Sequence, residues 1–239
     1  MNHNFYTGEL LLIDKPYTWS SFQVVNKIKH AIKHHPSLML DNIKTKPKVG
    51  HAGTLDPLAT GLLIVCTGKK TKTINELMGQ EKEYTGTFLL GATTPCYDLE
   101  KPVDFTFPTE HITNDDILLA AKNFIGLQNQ VPPIFSAVFV NGKRAYELAR
   151  KGEEVELKAR EIEIKEFEIT GINMPSVDFR IVCSKGTYIR SIARDFGLAL
   201  GSGAHLTKLC RTRIGHFKLS EALSPQQFVD ALNKSQESL

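Results

Sequence analysis

Val49-Gly50-His51-Ala52-Gly53-Thr54-Leu55-Asp56-Pro57-Leu58-Ala59-Thr60-Gly61-Leu62-Leu63 is the stretch that decides how the rest of the chain is read. Three glycines and a proline among its fifteen residues mark a backbone of tight turns and close approaches, unsuited to a regular helix or strand. One carboxylate, Asp56, stands among apolar residues, and Pro57 biases it away from α geometry. The apolar run Leu62-Leu63-Ile64-Val65-Cys66 follows, so the stretch reads as a catalytic loop beside a buried strand. A structural alternative stays open at this point: Asp56 bonding its own turn, or capping a short helix with Pro57 in its first position.

Working outward, Leu10-Leu11-Leu12-Ile13 reads as a short buried strand stopped by Asp14-Lys15-Pro16. Ser20 or Ser21 caps a helix running to about His34, with Val24, Val25, Ile28, Ala31 and Ile32 on its buried face. Residues 35–48 form a polar, lysine-rich connection with two prolines, expected to be mobile. Beyond the central loop come a short helix around Ile74–Met78 and a strand over Glu83–Leu90, with Tyr84 and Phe88 on one face. Residues 93–111 read as loop. Thr113-Asn114-Asp115-Asp116 opens a helix that Gly126 closes.

Arg144–Lys151 is a short helix ended by Gly152. Alternation from Glu161 slips phase at Lys165-Glu166, the mark of a bulged strand, and Val177–Cys183 is another strand. A helix from about Tyr188 to Leu200, a strand-like Thr212–Phe217 and a last helix from Pro225 complete the chain. No repeat or linker divides it, so residues 1–239 are expected to form one α+β domain with a mixed or antiparallel sheet as its spine.

The 239 residues, 41% hydrophobic and 23% charged, match an ordinary water-soluble globular chain, and no apolar run approaches the ~18 residues of a membrane span. The start, Met1-Asn2-His3-Asn4-Phe5, lacks a secretory signal, so no membrane and a cytoplasmic location are expected. Cys66, Cys96, Cys183 and Cys210 stand far apart and show neither disulfide nor zinc spacing. His30 and His34 share a helix face, but no neighbouring acid or cysteine completes a metal set, so no metal is expected.

The formal net charge is only +3, yet its distribution is uneven. Six lysines and three histidines face one acid, Asp41, between Lys27 and Lys48. Lys69-Lys70-Thr71-Lys72 follows the central loop and its strand, and Lys208, Arg211, Arg213 and Lys218 come with no acid between them. Such patches suit a polyanion.

Neither a G-x-G-x-x-G nor a phosphate-loop motif nor a G-x-S-x-G elbow is present, so nucleotide cofactors and serine hydrolysis are not indicated. A second candidate segment is Ser184-Lys185-Gly186-Thr187-Tyr188-Ile189-Arg190, where a strand ends and an aromatic and an arginine open a helix. An arginine there is able to pair with Asp56 and keep it ionised.

Together these segments resemble the TruB family of tRNA pseudouridine synthases. Gly50 to Gly61 closely resembles the family signature, and Leu12-Ile13-Asp14-Lys15-Pro16, Glu83-Tyr84, Ser184 to Arg190 and Gly203-Ala204-His205-Leu206 with Leu209 and Arg211 are similar to its other motifs, in order. Gln130 to Ala137 and Gly142 to Glu147 with Ala149-Arg150 resemble its RNA-gripping insertion, about residues 130–155.

The resemblance implies a pseudouridine synthase fold: a mixed, mostly antiparallel central sheet flanked by helices, with a catalytic cleft across the middle. It implies isomerisation of the uridine at position 55 in the T-loop of tRNA, with the base flipped out of its stack. By the same resemblance Asp56 is the nucleophile, on ribose C1′ or on uracil C6, and Arg190 holds it charged and aimed. Tyr84 stacks on the base and helps remove the C5 proton, His51 opens the loop or fills the gap in its stacking, and Tyr188 and Leu209 line the uracil pocket. No cofactor or metal is implied; the partner is the tRNA elbow, met by a monomer.

The chain departs from the family at several places. Ala52 stands where many members carry Thr, Thr94 and Pro95 replace the last two residues of a T-D-T stretch, and Phe139 sits where a lysine is usual. The 35–48 connection is longer than usual, and no appended RNA-binding PUA domain is expected. Two rival readings are an RNA-binding protein without chemistry and a carboxylate glycosidase, the latter needing a second placed acid.

Overall fold

The computed structural model describes residues 3–40, 43–44, 46, 48–136, 138–140, 142–150 and 156–237. In chain order its main elements are β1 (Leu10–Lys15), α1 (Ser21–Ile32), β2 (Val49–His51), β3 (Thr60–Thr67), α2 (Ile74–Gly79), β4 (Lys82–Leu90), α3 (Asn114–Asn123), β5 (Gly126–Gln130), α4 (Ala145–Arg150), β6 (Arg160–Asn173), β7 (Ser176–Cys183), α5 (Ile189–Ala199), β8 (Ala204–Ile214), β9 (Phe217–Lys218) and α6 (Pro225–Glu237). They form two compact units, Met1–Lys82 with Cys210–Leu239, and Glu83–Leu209.

In the first unit β3 carries antiparallel β1 and β2, while the end of β8 runs parallel to it through Cys210↔Thr60 and Arg211↔Gly61. β3 is an apolar run because both of its faces are covered. Leu63 and Val65 point into a cluster with Val24, Ile28 and Ile32 of α1 and Phe228 and Leu232 of α6. Leu62, Ile64 and Cys66 point the other way, against Ala52, Leu77 and Ile214. Helix α1 begins where expected, with Ser20 and Gln23 forming a reciprocal capping box.

Residues 35–40 and 43–44 have more order than their composition suggests. Pro36–Leu38 is a 3₁₀ turn that buries Leu38 in the α1 core, and Met39–Leu40 pairs with Ile43–Lys44 as a short hairpin. One apolar anchor, Leu38, is enough to tether a stretch that reads as solvated.

In the second unit the order is β8–β4–β7–β6–β5, with β6 antiparallel to both β7 and β5. Register shifts fall between Ile164 and Glu166, where the sequence phase slips, and again between Ile169 and Gly171. The core is aromatic: Phe88 stacks on Phe179 at 4.1 Å, and Phe167 and Phe196 close around them. Gly86 lets the Lys208 carbonyl and the Phe179 ring come so near that any Cβ would collide with them. Gly126, read as a helix stop, instead opens β5 at φ +109°, because α3 already ends at Asn123. Gly152, read as the end of α4, lies outside the described residues. Among the described residues no helix is long and apolar enough to cross a membrane.

Candidate active site

The signature loop leaves the first unit's sheet at His51, paired with Val65, and returns at Thr60. The amide of Ala52 still bonds the Ile64 carbonyl at 2.9 Å, Gly53 turns the chain at φ +100°, and Ala59 N–H donates to the Asp56 carbonyl at 3.1 Å. Main chain therefore closes the turn at Asp56, whose side chain is half-buried.

Three side chains from distant parts of the chain pin this loop on either side of Asp56. Ser21, buried at the start of α1, accepts from Leu55 N–H at 2.9 Å and donates to the Leu55 carbonyl at 3.2 Å. Lys15, wholly buried at the end of β1, donates from Nζ to the carbonyls of Trp19 (2.6 Å), Pro16 (3.1 Å) and Pro57 (3.3 Å). Arg211, 1% exposed on β8, donates from Nε to Leu62 O at 2.8 Å, from Nη2 to Gly53 O at 3.0 Å and from Nη1 to Thr54 O at 3.5 Å.

Two buried cations thus grip carbonyls on both sides of the carboxylate. Their burial is costly. Burial, aided by the charge of Arg211 and opposed by Asp56 and Asp14, brings the Lys15 pKa down to about 8. His51 is half-buried, and burial, then the charge of Arg211, lower its pKa. The Gly53 backbone pulls the other way but makes no well-formed hydrogen bond to the buried Nδ1. Burial and the Arg211 charge both favour the neutral imidazole over the imidazolium.

Tyr84, Tyr188, Arg190 and Leu209 belong to the second unit. Arg190, in the first turn of α5, is 5% exposed rather than a surface charge. Its Nε lies 3.5 Å from Asp98 Oδ2, and its Nη1 and Nη2 donate to the carbonyls of Cys96 (3.1 Å) and Phe135 (3.0 Å). Asp98 is equally buried, so the ion pair is dry.

The sequence pattern does not single out Asp98. It lies in the segment that departs from the family pattern at Thr94 and Pro95, and the structure shows what that segment does. Thr94 Oγ1 donates to the Asp98 carbonyl at 2.6 Å, Tyr97 takes φ +63°, and the turn delivers the acid to Arg190. The usable signal is an acid one residue beyond a sharply turning stretch.

Tyr188, half-buried, is held through its backbone: its N–H donates to Gln130 Oε1 at 2.8 Å, and Gln130 Nε2 donates to its carbonyl at 3.1 Å. Ser191 Oγ adds a bond to Val131 O at 2.8 Å, so the segment that begins at Gln130 is fastened to the start of α5. Tyr84 is buried on β4 and Leu209 half-buried on β8. The Arg144 guanidinium sits 4.4 Å over the Phe139 ring, so stacking holds a cation beside it.

The backbone is similar to solved pseudouridine synthases. It superposes with a TM-score of 0.73 at 30% identity on a chain of a Cbf5–Nop10–Gar1 complex, covering 98% of this chain and 57% of that one. A chain of an H/ACA ribonucleoprotein bound to a substrate RNA containing 2′-deoxyuridine gives 0.69 at 28% identity, with 97% and 55% covered. The present chain therefore spans a little over half of each of these solved chains. The class is that of the pseudouridine synthases.

Within that class the relatives are closer. A TruB family pseudouridylate synthase N-terminal domain matches residues 41–189, and a tRNA pseudouridylate synthase B C-terminal domain matches 190–239. The tRNA pseudouridine synthase B of Flavobacterium johnsoniae is 56% identical over 95% of this chain and 97% of its own length. That of Phocaeicola vulgatus is 54% identical over 98% and 97%. The chain belongs to the TruB family: it is a tRNA pseudouridine synthase, an RNA-modifying isomerase.

Proposed function

We propose that the chain isomerises uridine 55 in the T-loop of tRNA, with Asp56 as nucleophile. The observation that carries this reading is the lone carboxylate in a loop gripped on both sides by Ser21, Lys15 and Arg211, an immobilised and electropositive setting suited to attack. The target base is flipped out of its loop at a cost of a few kcal/mol, ~1–3 kcal/mol of which each aromatic contact is able to return. His51, neutral, takes part in opening the loop, and Tyr188 and Leu209 line the uracil pocket.

Asp56 then attacks C1′ of the ribose or C6 of uracil, the uracil turns, and the bond to C5 replaces the bond to N1. Arg190, itself held by Asp98, aims the nucleophile. Tyr84 stacks on the base and helps carry the C5 proton away. One carbon–nitrogen bond is exchanged for a carbon–carbon bond, so the balance needs no oxidant, water or metal. The insertion at 130–155 grips the RNA, and the enzyme acts as a cytoplasmic monomer in a single catalytic domain.

The test is Asp56→Asn, assayed by tritium release from tRNA carrying 5-tritiated uridine. Release should vanish while tRNA binding survives. Normal release from the variant would remove Asp56 from the mechanism, and pseudouridine at another position would move the substrate site.

A further inference from the structure

The longer 35–48 connection and the Lys69–Lys72 block are separated in sequence, yet the N-terminal segment joins them in the first unit. Phe5 N–H donates to Ser37 Oγ at 3.0 Å, and its ring meets His35 edge-on at 4.7 Å. The carbonyl of the next residue, Tyr6, accepts from Lys69 N–H at 3.4 Å, and the Tyr6 ring lies 5.5 Å from Lys69 Nζ. Lys48 is drawn to the same place, because its carbonyl accepts from Gly68 N–H at 2.9 Å.

Gly68–Thr73 is a 3₁₀ turn, in which residues three apart eclipse, so Lys69 and Lys72 project on one side. Thr71 Oγ1 and Thr73 Oγ1 tie the turn to the carbonyls of Gly68 (2.7 Å) and Lys70 (2.9 Å). Lys46, Lys48, Lys69, Lys70 and Lys72 are all exposed, and among the described residues no carboxylate forms an ion pair with any of them. Packing like charges on a braced turn without acids is unfavourable in the free protein and becomes useful against a polyanion.

The position of this strip sets its reach. β3 begins at Thr60, beside the Asp56 loop, and ends at Thr67, where the lysine turn starts. Seven strand steps at ~3.3 Å place the strip about 23 Å from the reacting end. That distance is too great for the flipped nucleotide and suits the helix that bears it, since duplex phosphates present ~1 charge per 1.7 Å of axis.

We propose that Lys48, Lys69, Lys70 and Lys72, with Lys46 beside them, form a phosphate-docking strip for the RNA stem that leads away from the modified loop. The strip lengthens the footprint on helical RNA and reads no base. This inference rests on the proposed T-loop activity, and its test separates the two.

Wild type and a triple variant, Lys48→Gln with Lys69→Gln and Lys72→Gln, are compared on two hairpins that share the T-loop, one with a short stem and one with a stem longer by a helical turn. Pseudouridine formation and salt-dependent binding are measured on each. The wild type should bind the long hairpin more tightly, and the variant should lose that gain. The variant's log K against log salt slope on the long hairpin should be shallower by roughly 2–3, at ~0.7–0.9 for each phosphate no longer neutralised. Turnover at saturation on the short hairpin should be unchanged, showing an intact fold and site.

A variant that keeps the full gain with stem length overturns the strip. Equal weakening on both hairpins also overturns it, because the lysines would then act at the loop or in folding. Failure of the wild type to modify either hairpin, with stem-dependent binding intact, would count against the T-loop activity alone.

Discussion

Arg211→Lys is the most direct probe of how the nucleophile loop is held. Arginine offers a rigid fork, and here it reaches three carbonyls on two segments: Leu62 at 2.8 Å, Gly53 at 3.0 Å and Thr54 at 3.5 Å. The contact at 3.5 Å contributes little, so two bonds matter. Lysine keeps the charge but places it at one point, and is able to serve one of these carbonyls well. Losing one charge-assisted bond, in a site 1% exposed, should cost about 1.5–3 kcal/mol of stability.

The catalytic effect is separable from that loss. A loop freed to move by ~1 Å is expected to cost about a hundredfold in rate. The assay is denaturant unfolding, paired with single-turnover tritium release at a temperature where the variant is fully folded. The expected result is a lower midpoint, a large fall in kcat and little change in tRNA affinity. Arg211→Met adds a readout that packing alone would not move: removing the guanidinium should raise the His51 pKa, observed by NMR titration, because its charge is one of the two influences holding that imidazole low. A folded Arg211→Lys enzyme turning over at the wild-type rate, with the loop's carbonyls satisfied by water, would refute the clamp.

Lys15 should give an alkaline limit to activity: as pH rises through about 8 its ammonium loses the charge beside Asp56 and a donor to the loop, so kcat should fall. Stability should move the opposite way, because the unfolded chain holds that proton up to the ordinary 10.5, binds more protons than the native state between the two values, and so unfolds less readily as pH rises. A pH–rate profile with chemical denaturation on either side of that pH checks both signs, and a flat profile would dismiss the role. Asp98→Asn should take a buried carboxylate from beside Arg190, lowering Tm and reducing kcat by roughly tenfold or more at ~1.4 kcal/mol per decade, with tRNA binding retained; unchanged kcat in folded protein would show that Asp98 is not needed to aim Arg190.

Much of this architecture is visible in the residues themselves. The run Leu62–Cys66 announces a strand buried on both faces, and the cores on its two sides bear that out. The phase slip at Lys165-Glu166 shows as a register shift against β7. Strand β5 was not legible, because Gly126-Leu127-Gln128-Asn129-Gln130 has little β propensity and owes its conformation to pairing with β6. β8 begins at Ala204, eight residues before the alternation is clear, because Ala204, His205 and Leu206 are buried in succession and show no alternation.

The site divides along a chemical line. Asp56 and His51 stand out because reactive groups are carried by particular side chains, so their identity survives in the sequence. Ser21, Lys15, Arg211 and Gln130 act mainly on backbone amides and carbonyls, which every residue presents, and their partners therefore leave no trace in the composition of the loop. Each also reaches its target from an element that is distant in the chain, so local spacing carries no information either. The consequence is a loop whose own residues are chosen for chemistry and turn geometry while its rigidity is supplied from outside. Substituting residues within the loop should change what the enzyme does to uridine; substituting the three clamps of the first unit should change how often the carboxylate is in position to do it.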